Sequence, residues 1–122
     1  KYLDTWTDIR INLAEYYLKD LKNLDDIVLP KREDWAKQVY HLFVIRNKKR
    51  NELMSFLKKN SIQTGIHYPI SLPKLKAYKY LNQDSEDFFA NKNDVNLLSL
   101  PIGEHLKLDE TQTIINSIKK FI

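Results

Sequence analysis

Apolar and polar positions follow two different periods along this chain, and the switch between them marks its parts. From residue 1 to 24, Trp6, Ile9, Leu13, Tyr17, Leu21 and Leu24 recur at spacings of three and four. That draws one apolar stripe along a 3.6-residue period and predicts a long amphipathic helix. Leu3, Ile11 and Leu18 widen the stripe. No capping residue precedes Lys1, and the pattern is already running there, so the chain reads as a piece of something longer. Residues 23–37 form a connector, in which Ile27-Val28-Leu29 stops at Pro30 and Leu29 is held extended. Trp35, further along it, is expected to lie as a lid on the core.

At 39–46 the period becomes two. Val39, His41, Phe43 and Ile45 face one way and Tyr40, Leu42, Val44 and Arg46 the other. With both faces mostly apolar, this is an inner strand covered by helices, and His41 reads as a structural histidine. Asn47 is placed to cap a helix over 51–59 with Leu53, Phe56 and Leu57 inward, and Asn60 to end it in the left-handed conformation. A short strand is expected at 62–66, two helical turns at 74–81, and a modest helix capped by Ser85 and carrying Phe88, Phe89 and Ala90. A third strand is expected at 95–100. Asp109 with Gln112 reads as the capping box of a last helix that turns Ile114, Ile115, Ile118 and Phe121 inward. The fold class is therefore α+β. One two-layer small domain fills 1–122, with a three- to four-stranded, mainly antiparallel sheet and helices on one face. The long N-terminal helix of 1–24 precedes an α/β core at 39–122.

Composition narrows the chemistry. Without cysteine there is no disulfide framework, thiolate metal site or thiol nucleophile. His41, His67 and His105 match no metal-ligand spacing, so no metal is expected. Two glycines cannot assemble a phosphate loop or a dinucleotide fingerprint, and no Gly-x-Ser-x-Gly turn is present. The net charge of +4 is spread among acidic neighbours, which reads as solvated helix flanks and not as a nucleic-acid footprint. No apolar run approaches the ~20 residues that span a bilayer. The expectation is a cytoplasmic protein with neither nucleic acid nor membrane as partner.

One stretch stands apart: Thr64-Gly65-Ile66-His67-Tyr68-Pro69-Ile70-Ser71-Leu72-Pro73. Proline fixes backbone angles and glycine permits geometries that other residues avoid, so its shape is specified. The His67 imidazole can donate, accept or carry charge, and the Tyr68 phenol joins a polar group to an apolar ring. The pair is a candidate contact for a polar ligand at a strand end, or else a bridge from loop to core. On these residues alone both readings stay open, and no catalytic machinery is visible.

Gly65-Ile66-His67-Tyr68-Pro69-Ile70, with Ala77-Tyr78 downstream, resembles the hallmark segment of the DegT/DnrJ/EryC1/StrS family of sugar aminotransferases. Arg10, Ala14 and Tyr17, the strand at 40–46, Arg50, Leu53 and Leu57, and Leu98-Ser99-Leu100-Pro101 fit the same family in order. The resemblance is to its C-terminal small domain only. It implies a pyridoxal phosphate (PLP) enzyme that moves an amino group, with glutamate as the expected donor, to a keto group of a nucleotide-linked sugar. PLP and its anchoring lysine would belong to a large domain outside this match, so no catalytic or cofactor-binding residue is expected here. The chain alone would be inactive, and the full-length enzyme a homodimer. By the resemblance, His67 and Tyr68 would face the substrate, and Lys74, by its charge, would meet an anionic diphosphate. Pro73 stands where the family often has a second histidine, Ser61 where a glycine is usual, and Phe88 and Asn91 where proline and glutamate are common. The alternative is a non-catalytic binding or interaction domain that keeps the small-domain fold.

Overall fold

Helix α1 (Leu3–Leu21) forms along the 3.6-period stripe in the computed structural model, which describes residues 1–122. Its stripe is buried from Leu13 onward, through Ala14, Tyr17 and Leu21, whereas Tyr2, Leu3 and Trp6 in the opening turns are exposed. There the Tyr2 and Trp6 rings stack on each other at 5.9 Å. The chain continues through β1 (Phe43–Arg46), α2 (Arg50–Lys59), α3 (Phe89–Asn93), β2 (Leu97–Leu100) and α4 (Leu108–Phe121). Two 3-10 segments, Leu72–Lys74 and Lys76–Leu81, lie between α2 and α3. Helix α4 packs on both α1 and α2.

Strands β1 and β2 pair antiparallel, with Phe43 opposite Leu100, Val44 opposite Ser99, Ile45 opposite Leu98 and Arg46 opposite Leu97. Partners directly across a ladder share a face, so the sheet has two unlike sides. Phe43, Ile45, Leu98 and Leu100 enter the core with Tyr17, Leu53, Leu57, Ile115 and Ile118. Val44, Arg46, Leu97 and Ser99 form the other side, and Ser99 and Leu97 meet the 65–75 stretch there.

The α+β class and the long first helix match the sequence reading, but the sheet is narrower. Only two strands are regular; the connector and the 62–66 segment each join by a single antiparallel bridge, Val28 to Arg46 and Gly65 to Ser99. The expected strand at 39–46 loses its first half because Tyr40 takes a left-handed φ of 50°. That reverses the alternation: Tyr40 is buried, Val39 is exposed, and the His41 side chain faces solvent instead of serving as a structural histidine. The carbonyls of Tyr40 and His41 turn to the Arg10 guanidinium and not to a ladder. Trp35 is no lid; it is 87% exposed, and the core takes Ile27 and Tyr40 from this part of the chain.

Helix ends shift by a residue or more. Asn47 precedes α2 as a tie, accepting from the Lys49 N–H at 2.8 Å and donating to the Asp26 carbonyl at 2.8 Å. At the other end Asn60 keeps φ at −94°, and Ser61 turns left-handed at φ 61°. Ser61 N–H then bonds the Lys58 carbonyl and Ile62 N–H the Leu57 carbonyl, a Schellman closure with Ile62 tucked into the core. Helix α3 starts after Phe88, not at Ser85. At α4 it is Glu110 that reaches back, accepting from the Lys107 N–H at 2.8 Å, while Gln112 bonds Asn116.

Candidate ligand-contact loop

Gly65 and Ser99 exchange both backbone hydrogen bonds, at 3.1 and 2.8 Å, which anchors the start of the irregular stretch to β2. Two residues on, the His67 ring folds back over Gly65. A Cβ at position 65 would lie 2.5 Å from the imidazole Cε1, so the ring can occupy this place only above a glycine. The same arrangement recurs at Gly103, where a Cβ would lie 2.6 Å from Cε1 of His105. From this position His67 Nδ1 meets the Ser99 hydroxyl at 2.9 Å. Its Nε2 has no partner in the chain, and Tyr68 stands edge-on to the ring with centroids 6.0 Å apart. Tyr68 itself is 75% exposed. The structure thus brings His67 and Tyr68 together on one outward edge.

Lys74 is placed differently. Its amine donates to both carboxylate oxygens of Asp94, at 3.0 and 3.1 Å, and to the Asn91 carbonyl at 2.6 Å. The Ser71 N–H donates to Asp94 as well, at 3.1 Å. Asn91 ties the Ser71 hydroxyl at 2.7 Å and donates to the carbonyls of Gln83 and Glu86. Burial by itself pushes the Asp94 carboxyl up, but the hydrogen bonds from Lys74 and Ser71 and the lysine charge outweigh it, so the group is held below the usual carboxylate range. The charge that suggested a diphosphate contact is neutralised within the domain, and Lys74 holds the loop in shape.

Between this loop and α3 runs a groove of about 680 Å³, within the size range of small-molecule sites. Tyr68, Ile70, Leu72, Leu75, Phe89 and Leu97 supply most of its apolar wall. At its rim the Arg46 guanidinium lies 4.9 Å from the Phe89 ring centroid and donates to Asn93 at 2.9 Å.

Other residues of the hallmark pattern prove to be braces. Arg10 donates to the Ile102 and His41 carbonyls at 3.2 and 3.3 Å and pairs with Glu104 at 3.1 Å. The buried Tyr17 hydroxyl donates to the Pro101 carbonyl at 2.8 Å, and burial raises its pKa far above the usual phenol range. Arg50 donates to the Leu97 carbonyl at 3.1 Å. Sequence reasoning missed Asp94 and met Asn91 only as a departure from the family's glutamate; both sit in a polar run with no periodic signal. Ser99 did carry one, as a lone hydroxyl inside an otherwise apolar strand.

A small helix-backed sheet that keeps one face for its core and lends the other to a shaped histidine–tyrosine loop is the kind of domain present. The chain belongs to the DegT/DnrJ/EryC1/StrS aminotransferase family, whose pattern matches residues 1–119. It is 36% identical over 120 residues to the erythromycin biosynthesis sensory transduction protein EryC1 of Saccharopolyspora erythraea, covering 98% of this chain and 33% of that protein. It is 35% identical over 120 residues to the dTDP-3-amino-3,6-dideoxy-alpha-D-galactopyranose transaminase of Aneurinibacillus thermoaerophilus, covering 98% of this chain and 32% of that one. Among solved structures, DesV of S. venezuelae in complex with a ketimine intermediate matches with a TM-score of 0.92 at 32% identity, over 98% of this chain and 33% of DesV. The chain spans about a third of the length of the curated relatives it matches.

Proposed function

We propose that this chain is the small C-terminal domain of a PLP-dependent aminotransferase that aminates a keto group on a nucleotide-linked sugar, with glutamate as donor. His67 and Tyr68 form the edge that this domain turns towards the sugar. The observation that carries the reading is the His67 ring, fixed at one nitrogen by Ser99 and open at the other beside an exposed phenol. Family membership and the one-third coverage of transaminase relatives support it.

The residues in this chain do not fit the anchoring of PLP. No lysine lines the groove, and the amine of Lys74 is engaged by a buried carboxylate. In this reading PLP is held elsewhere in the full-length enzyme, a cytoplasmic homodimer, and the 122 residues alone are inactive. Lys74 contributes to ligand binding by holding the loop that carries Tyr68.

The test is His67→Ala in the full-length enzyme, assayed on dTDP-linked 3-keto and 4-keto sugars. Turnover is expected to fall by about tenfold or more, which is about 1.4 kcal/mol of transition-state stabilisation, with the melting temperature nearly unchanged. Parallel losses of turnover and stability would make His67 a structural residue instead.

A further inference from the structure

The Ser99 hydroxyl is buried, and His67 Nδ1 is its only side-chain partner. A hydroxyl can donate one proton and accept two, whereas a neutral imidazole carries its proton on one nitrogen and accepts at the other. Were the proton on Nδ1, it would point at the Ser99 oxygen, and the serine's own proton would be left buried without an acceptor. Leaving a buried donor unmet is the costly case. With the proton on Nε2, the Ser99 hydroxyl donates to Nδ1 and nothing is left over. The two groups are held face to face, because both backbone groups of Ser99 are bonded to Gly65 and the imidazole is seated over that same glycine.

We propose that Ser99 is a positioning residue that locks neutral His67 as the Nε2–H tautomer. The chain then presents an N–H donor at the His67–Tyr68 edge, and the ligand group it meets is an acceptor oxygen: a sugar hydroxyl or keto oxygen, or a phosphate oxygen. In this state His67 is a hydrogen-bond donor to the ligand and not a base. The assignment of a ligand to this edge rests on the function proposed above; the tautomer does not.

The experiment is a long-range proton–nitrogen correlation spectrum of the 15N-labelled 122-residue chain, at a pH of about 8.5, above the ordinary imidazole range. His41 and His105 serve as internal controls, since neither ring has a side-chain partner. His67 is expected to show a pyridine-type Nδ1 and a pyrrole-type Nε2, further towards a single tautomer than either control. Ser99→Ala should move both nitrogens towards the averaged positions of the controls, and Ser99→Thr, which keeps the hydroxyl, should restore them. A protonated Nδ1 in the unaltered chain overturns the proposal even if Ser99→Ala fails to fold, as do His67 signals unmoved by Ser99→Ala. A locked tautomer combined with undiminished sugar turnover in His67→Ala would sink the ligand assignment and leave the role of Ser99 standing.

Discussion

Two irregular stretches leave the same two-stranded sheet, and they are held by opposite chemistry. The one after β2, from Pro101 to Glu104, is gripped by donors: the Tyr17 phenol and the Arg10 guanidinium reach from α1 to backbone carbonyls. The one between Ser71 and Lys74 is gripped by an acceptor, the Asp94 carboxylate at the end of α3, which takes a backbone N–H and a lysine amine. The first grip is rooted in a helix of 19 residues whose inner face is core, the second in one of 5 residues with no buried residue of its own. The scaffold ties to the Ile102 and Pro101 carbonyls involve no titrating acceptor, and the one carboxylate on that side, Glu104, pairs with Arg10 at the exposed end of the stretch. The loop side depends on one carboxylate remaining ionised.

The largest test of that contrast is Tyr17→Ala. It removes a fully buried ring packed 4.8 Å from Phe43 along with the Pro101 tie. A loss of about 4 kcal/mol in urea unfolding is expected, acting on the whole domain. A loss confined to residues 101–104 would show that the two grips are more alike than their geometry implies. Asp94→Asn should cost less, about 2 kcal/mol, and locally, because it weakens charge-assisted hydrogen bonds at one loop. Hydrogen exchange would show it as faster exchange of the Ser71 amide with the β1 and β2 amides unchanged. Acid gives the mildest version. Because the folded Asp94 carboxyl is held below its ordinary value of about 3.9, its contribution is fully present above that pH and lost as pH falls through the folded value. Proton spectra should therefore show the Ser71 and Lys74 signals shifting before those of the core, and Asp94→Asn should abolish that early step.

Much of the fold was legible because burial leaves a period in the sequence. Leu13, Tyr17 and Leu21 on α1, and Ile114, Ile115 and Ile118 on α4, are core as their spacing predicts. What escaped was decided by backbone carbonyls, which have no letter of their own. Tyr40 leaves the strand because its carbonyl and that of His41 turn to Arg10, distant in sequence and recognisable only once folded. The site was half legible. His67 and Tyr68 stood out by residue type and by their neighbours Gly65 and Pro69. The fate of Lys74 depended on Asp94, and no local rule pairs positions twenty residues apart.

The two glycines of the chain both lie at ordinary negative φ, and the left-handed positions are taken by Tyr40, Ser61 and Asn82. Gly65 and Gly103 are thus required for emptiness and not for flexibility: each is the floor on which an imidazole two residues later rests. Their tolerance to replacement is consequently conditional. Alanine at 65 becomes acceptable once the residue at 67 no longer folds back. The two pairs differ in what alanine would cost: at 65 it would push the His67 ring off Ser99, whereas at 103 the exposed His105 ring has no side-chain partner to lose.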